Sequence, residues 1–365
     1  MKLGEVVYVG GFILPDKNAA AQRVIGIAKI LREIGYKVSF LSETKSNDTK
    51  LKQEYFGFES YSYKSSGGIK KLFDIQYIID YVLNNQQVVA IIAYNFPALA
   101  LLNLTKFCRK KGIFCFGDIT EWYGTKGKSF LYKIIKGIDT CIRMRVANKK
   151  LDGCIVISKY LEKYYKRFLP IIKLPPLVDK AESKWNVGCD EAHDDIRFVY
   201  AGSPSAEKER LDVIVEAIKY LLKEHEVKLY IIGITEKEYE KIYKSKCDSK
   251  KVIFLGKVVH LEAVRYVSKC DYSIFVRDRN RVTQAGFPTK FVESISCGVP
   301  VITNDNSCVK DYLINGKNGI LINDKNILQE LVKIIIEKRR IEVQSDLFDY
   351  RNYINDMANF LGRIE

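Results

Sequence analysis

The stretch DRNRVTQAGFPTKFVESISCGVPVIT, residues 278–303, gathers residue types that can hold a phosphate and a sugar alcohol close together. Gly286 permits a ligand to approach the backbone. Pro288 suits the first position of a helix, where its missing N–H costs no hydrogen bond. The amides of Thr289 and Lys290, next along the chain past Phe287, then point out of a positive helix end, which favours an anion. Lys290 adds charge, and Glu293, three residues on, lies on the same face. A carboxylate beside a phosphate repels it unless it binds something neutral, and a ribose diol fits that need. Gly-Pro turns also open helices that bind nothing, so the motif needs support from elsewhere.

A second stretch, YAGSPSAEKERLDVIVEAI from Tyr200, runs from a strand through a Gly202-Ser203 turn and a lysine-bearing loop into a helix. Taken alone, Lys208 reads as a solvated residue of an exposed AEKER loop. In RDRNRV, Arg277 is nearest the preceding strand and is the candidate to meet an anion there, while Arg279 and Arg281 suit solvent or Asp278. Gly10 and Gly11 end the first strand as a tight turn or a ligand loop. FGDITEWYGTKG follows a buried-type strand, so Asp118, Glu121, Trp122 and Tyr123 should face a cleft, where carboxylates and aromatic faces suit a sugar ring. Asp118 can instead cap a helix.

These residues need rigid elements to carry them. VVYVGGF, AAAQRVIGIAKILREIG and KVSFLS read as strand, helix and strand, with the helix stopped at Gly35. VVAIIAYN, IFCFGDI and DGCIVIS continue as buried strands, so the sheet is expected to be parallel. Three of the eight prolines lie within residues 168–196, an interdomain linker by composition. A second cycle follows, with strands RFVYAG, KLYIIG, VIFLG, YSIFVR, VPVIT and GILI alternating with helices that include LDVIVEAIKYLLKEH, KEYEKIYKS, LEAVRYVSKC and SCVKDYLING. The fold class is α/β, with a Rossmann-like domain at 1–180, a second Rossmann-like domain at 181–347 and a terminal helix at 348–365 packing back on the first domain. Sheets so arranged bind ligands at their carboxyl ends, in a shared cleft.

AGFPTKFVESISCGVPVI resembles the signature of family 4 of the retaining glycosyltransferases, nucleotide-sugar enzymes of GT-B fold, in which two glutamates stand eight positions apart before a Gly-x-Pro-Val strand. Glu293 matches the second glutamate, whose usual contact is the ribose. The first falls on Ala285, a departure that touches the contact to the donor hexose. Gly202, Ser203 and Lys208 match the turn and lysine at the donor diphosphate, with Glu207 or Arg210 able to take the lysine's place if the alignment slips. Gly10-Gly11 resembles the family's N-terminal loop near the diphosphate, and Glu121 with its neighbours falls on the acceptor side. The resemblance implies hexose transfer with retained configuration to a lipid-linked or polysaccharide acceptor, with Lys208, Glu293 and Glu121 as the working residues and no metal or other cofactor. Ala285 leaves open a silent GT-B subunit that targets a partner enzyme, and an epimerase of the same fold is a further alternative.

The net charge of +15 is one-sided: residues 1–180 hold 30 Lys and Arg against 15 Asp and Glu, while the remainder hold 29 of each. Such a field suits an anionic partner. Within 126–150, Lys126, Lys128, Lys133, Lys136, Arg143 and Arg145 accompany Phe130, Leu131, Ile134, Ile135, Ile138 and Ile142 at helical spacing. This segment lies on an anionic bilayer, or packs on its own domain with a solvated basic face. Nucleic acid is excluded as a partner, since aromatics are not interleaved with the basic runs. No apolar run reaches the roughly 18 to 20 residues of a membrane span and no signal peptide is evident, so a cytoplasmic protein, peripheral at most, is expected. Nine scattered cysteines without a Cys-x-x-Cys pair argue against disulfides and zinc, and the three histidines all fall after residue 190.

Overall fold

The computed structural model describes residues 3–15, 19–44, 52–64, 68–124, 130–185, 193–204, 208–305, 308–323, 325–337 and 341–362 of the chain. These fall into two compact units, residues 1–178 with 350–365, and residues 179–349.

The first unit contains β1 (Glu5–Gly10), α1 (Ala19–Ile34), β2 (Lys37–Thr44), β3 (Lys52–Tyr55), β4 (Phe58–Lys64), α2 (Gln76–Leu83), β5 (Val88–Tyr94), α3 (Ala98–Lys111), β6 (Phe114–Ile119), α4 (Phe130–Arg145), β7 (Gly153–Val156), α5 (Lys159–Tyr165) and β8 (Ile171–Lys173). Its eight strands are ordered β3-β4-β2-β1-β5-β6-β7-β8. All pairs are parallel except β3 with β4. That hairpin departs from the expected all-parallel sheet. β1 is buried at every position, because helices cover both faces of a parallel sheet.

The second unit contains β9 (Ile196–Ala201), α6 (Leu211–Leu221), β10 (Val227–Ile232), α7 (Glu236–Tyr243), β11 (Val252–Gly256), α8 (His260–Ser268), β12 (Tyr272–Phe275), α9 (Arg281–Ala285), α10 (Thr289–Ser296), β13 (Val301–Asn304), β14 (Gly319–Ile322) and α11 (Ile327–Glu337). Its strands are ordered β11-β10-β9-β12-β13-β14, every pair parallel. Of SCVKDYLING, expected as a helix, residues 308–312 form turns closed by Tyr312 N–H to Val309 O. The last helix, α12 (Ile354–Leu361), belongs to the first unit, where Met357 and Phe360 join the core formed by Val24 and Ile27 of α1 and Tyr8 of β1.

Both sheets reverse direction once. The chain builds outward from β1 through β2 and β4, then returns to the other side of β1 with β5. It repeats this from β9 through β10 and β11 to β12. The loops leaving neighbouring strands diverge at such a reversal and open a crevice at the carboxyl ends. A glycine stands at each: Gly10 with φ +147° ends β1, and Gly202 with φ +142° follows β9. A Cβ on Gly10 would lie 2.7 Å from the Tyr94 carbonyl oxygen, so glycine is required there.

Candidate functional site

At the second unit's reversal the backbone of 208–210 lies against 276–278. Arg210 N–H donates to Val276 O at 2.9 Å, Asp278 N–H donates to Lys208 O at 3.3 Å, and Glu209 and Arg277 form an isolated bridge. The Lys208 loop and the end of the β12 strand are therefore one rigid piece. Glu209, a residue sequence reading passed over, is turned inward. Its carboxylate takes a hydrogen bond from Tyr200, pairs with the Lys290 ammonium and lies 3.9 Å from Arg277 Nε. Lys290 and Arg277 are 7% and 5% exposed. Burial acts to raise the Glu209 pKa, but the charges of Lys290 and Arg277 overcome it and hold the carboxyl below its ordinary value.

Two buried cations thus share one carboxylate, leaving one positive charge in excess. Lys290 lies over the Tyr200 ring, 3.9 Å from its centroid. A Cβ on Gly202 would sit 3.2 Å from Lys290 Cε and 3.3 Å from its Nζ, so the bare turn brings backbone within reach of the ammonium. Lys208 is half-buried and has no ion-pair partner among the described residues. Of the proposed substitutes for it, Glu207 lies outside the described residues, and Arg210 turns away to pair with Asp212 at 3.0 Å. Ser203, in the same turn, is exposed.

The helix α10 begins at Thr289 with Pro288 as its uncapped N-cap, one position earlier than expected for the proline. Gly286 has φ −90°, open to any residue, so a left-handed backbone does not explain it. The Phe287 ring does not face open space. It is buried, edge-on to Tyr312 at 5.6 Å and to Phe348 at 6.4 Å, because an apolar ring at that position serves the core better than a phosphate. Glu293, half-buried one turn on, lies 3.5 Å from His260 Nε2, and Trp185 meets the His260 ring edge-on at 6.2 Å. His260 and Trp185 carried no sequence signal, being 33 and 108 positions from Glu293. Arg279 and Arg281 are exposed, as read.

In the first unit the reversal is built differently. Tyr8 donates to Asp118 Oδ2 at 2.7 Å, and Arg23 Nε donates to Asp118 Oδ1 at 2.8 Å. Arg23 Nη1 also donates to Leu174 O at 3.1 Å. Asp118 is fully buried, which corrects the expectation that it faces open space or caps a helix: a buried carboxylate needs its cation, and Arg23 supplies it. Trp122 is likewise buried, edge-on to Tyr164 at 5.1 Å. Tyr123 is half-buried between Lys136 and Arg143, whose cations lie 4.4 and 4.7 Å from its ring centroid. Glu121 is half-buried with no ion-pair partner among the described residues.

Above Asp118, Asn95 holds φ +44°. Its N–H donates to Asp118 O at 3.0 Å, its amide exchanges hydrogen bonds with Thr120 at 2.6 and 3.2 Å, and its carbonyl accepts from Arg143 Nη1 at 3.1 Å. Arg143 is therefore buried, which corrects its placement on a lipid-facing surface. Lys136 pairs with Asp139 at 3.3 Å. Lys126 and Lys128, and the side chains of Phe130 and Leu131, lie outside the described residues. Lys133 is exposed on α4 beside Ile134, Ile135 and Ile138, which are 42%, 42% and 56% exposed. No helix among the described residues is long and apolar enough to cross a membrane. Of the eight described cysteines, all free thiols, six are buried.

Residues 195–338 match the family model described as glycosyl transferases group 1. Sucrose-phosphate synthase from Thermosynechococcus elongatus is similar over 99% of both chains at 13% identity, with a TM-score of 0.71. HepE from Anabaena, solved in complex with UDP and glucose, is similar over 99% of this chain and all of its own at 12% identity, with a TM-score of 0.69. The lipopolysaccharide outer core galactosyltransferase WaaB is similar over 98% of this chain and 99% of its own at 14% identity, with a TM-score of 0.67. At these identities the likeness is one of fold, two Rossmann-like domains. A comparison with curated protein sequences gives no match. Residues 195–338 thus match a glycosyl transferase domain, in a chain whose fold is that of the GT-B enzymes.

Proposed function

We propose that the chain is a retaining hexosyltransferase of family 4 type, which takes a hexose from a nucleoside diphosphate sugar held by the second unit. The acceptor, held by the first unit, is a lipid-linked or polysaccharide chain in surface glycan synthesis. One observation carries the donor half of this reading: two buried cations, Lys290 and Arg277, share the single carboxylate of Glu209 under the open Gly202 turn, with Lys208 fixed alongside. An excess cation in a crevice is a site for a diphosphate. Glu293 then takes the ribose diol, and Lys208 stabilises the leaving diphosphate as its charge grows. Attack comes from the face the diphosphate leaves, with a donor phosphate oxygen accepting the proton of the acceptor hydroxyl. No metal is required, so chelator should leave turnover within twofold. HepE, solved with UDP-glucose, supports a donor of this kind. The exposed isoleucines of α4 beside Lys133 support a peripheral place on an anionic membrane face.

Thermal unfolding in the presence of uridine and guanosine diphosphates and their hexoses tests the proposal. A specific ligand at about a hundredfold excess over its Kd adds about 2.7 kcal/mol of stability. A flat response to all of them would remove the reading. A second reading, a silent subunit, is favoured by Ala285, fully buried where the resemblance has a carboxylate. Nucleotide binding without transfer or donor hydrolysis would select it.

A further inference from the structure

At the first unit's reversal lies a cavity of about 170 Å³, bounded by Gly10 and Gly11 after β1, by Tyr94 to Pro97 after β5, and by Tyr63 and Tyr77. The volume falls below the roughly 300–1,000 Å³ of pockets for larger ligands and suits a single ring. Its wall carries two tyrosine rings stacked 3.4 Å apart and 8° from parallel. Its floor is Asn95, in the left-handed region and fastened by Asp118, Thr120 and Arg143, the kind of strained and over-determined backbone found where ligands bind. Tyr94 Oη accepts from Thr120 Oγ1 at 3.2 Å, which leaves its own proton to be donated. Burial raises the Tyr94 pKa well above its ordinary value, so that proton stays in place. At Gly11 an added Cβ would meet nothing within 4 Å, so the pocket is open on that side.

The charged residues lining the cavity, Lys71 and Asp74, are opposite in sign. Aromatic faces, a hydroxyl donor and no charge excess are the means of binding a neutral sugar ring rather than an anion. We propose that this pocket seats the terminal neutral pyranose of the acceptor glycan, with Tyr63 and Tyr77 as its wall and the Tyr94 hydroxyl donating to a ring substituent. This assignment moves the acceptor contact from Asp118 and Trp122, which are buried, to residues that line open space. It rests on the transferase reading for the word acceptor, but not for the presence of a sugar site.

Saturation-transfer NMR on the full chain with the methyl glycosides of glucose, galactose, mannose and N-acetylglucosamine tests it, beside methyl glucuronide. At least one neutral glycoside should show transfer that falls fivefold or more in Gly11→Phe, which fills the cavity without touching the core, and in Tyr94→Phe, which removes one proton donor. Nucleoside diphosphate affinity should stay unchanged in Tyr94→Phe, and melting temperature in both. Transfer from no neutral glycoside, transfer that survives both substitutions, or glucuronide responding fivefold more strongly than every neutral ring would overturn the assignment. Failure of the wild type to bind any nucleotide, with sugar transfer as described, would sink the transferase reading and leave the sugar pocket standing.

Discussion

Tyr8 and Tyr200 occupy the same place in their units, two residues before a glycine with φ near +145° at a strand end, and each donates to a buried carboxylate. Beyond that point the two reversals diverge. In the first unit the carboxylate is Asp118 and its ion-pair partner Arg23, both nearly inaccessible, while the buried Arg143 is held by the Asn95 carbonyl and the Tyr123 ring instead of a carboxylate of this cluster. In the second, Glu209 faces Lys290 and Arg277, two cations to one carboxylate, beside Lys208, which has no ion-pair partner among the described residues. Local charge runs opposite to overall charge: the balanced pair belongs to the half of the chain with the basic excess, and the surplus cations to the half with 29 of each sign. A count over a domain reports on its surface. The stoichiometry of buried ions reports on what its crevice binds.

The largest test of this contrast is on stability. Asp118→Ala strands Arg23 in the core and should cost about 3–5 kcal/mol in urea unfolding, whereas Arg23→Met with Asp118→Leu should recover most of that loss. Lys290→Met leaves Glu209 with Tyr200 and Arg277, so its stability cost should be smaller, about 1–3 kcal/mol. Equal losses at the two sites would erase the distinction.

pH sharpens the comparison. Glu209 has a folded pKa held below its unfolded value, near 4.3, so its contribution is complete above about pH 4.3 and is lost as pH falls through the folded value. The stability difference between wild type and Glu209→Gln should therefore shrink from pH 7 to pH 3. A difference independent of pH would show that the carboxyl titrates in the fold as it does in the unfolded chain, and one that moves the opposite way would show that it is held protonated. The smallest effect belongs to Arg210, an exposed residue whose pair with Asp212 should contribute under about 0.5 kcal/mol, and Arg210→Ala should change melting by little more than the error of the scan.

Most of the fold was legible because periodicity is local: α1 stops at Gly35, and strands from VVYVG to GILI fall where their apolar runs lie. The β3-β4 hairpin escaped because KQEYFGFESYSYK alternates polar and aromatic residues at an edge, with little apolar run to mark it. Within the site, the Lys208 and Lys290 stretches were found by chemistry and do lie together. Glu209 was not, since the pairing of 208–210 with 276–278 joins segments nearly seventy residues apart and decides which side chain turns inward. Asp118 misled for the same reason: a carboxylate after a buried strand looks ligand-facing until Arg23, 95 positions earlier, is brought beside it.

Isothermal titration of uridine and guanosine diphosphates into wild type, Lys208→Ala, Lys290→Met and Arg210→Ala tests the central claim most directly. Surplus cations at the second reversal predict that one nucleotide binds wild type and Arg210→Ala within twofold of each other. It should bind Lys208→Ala and Lys290→Met at least tenfold more weakly, as loss of a charge-assisted contact worth about 1.5–3 kcal/mol requires. Equal affinity in all four proteins, or no binding heat from either nucleotide, would contradict it.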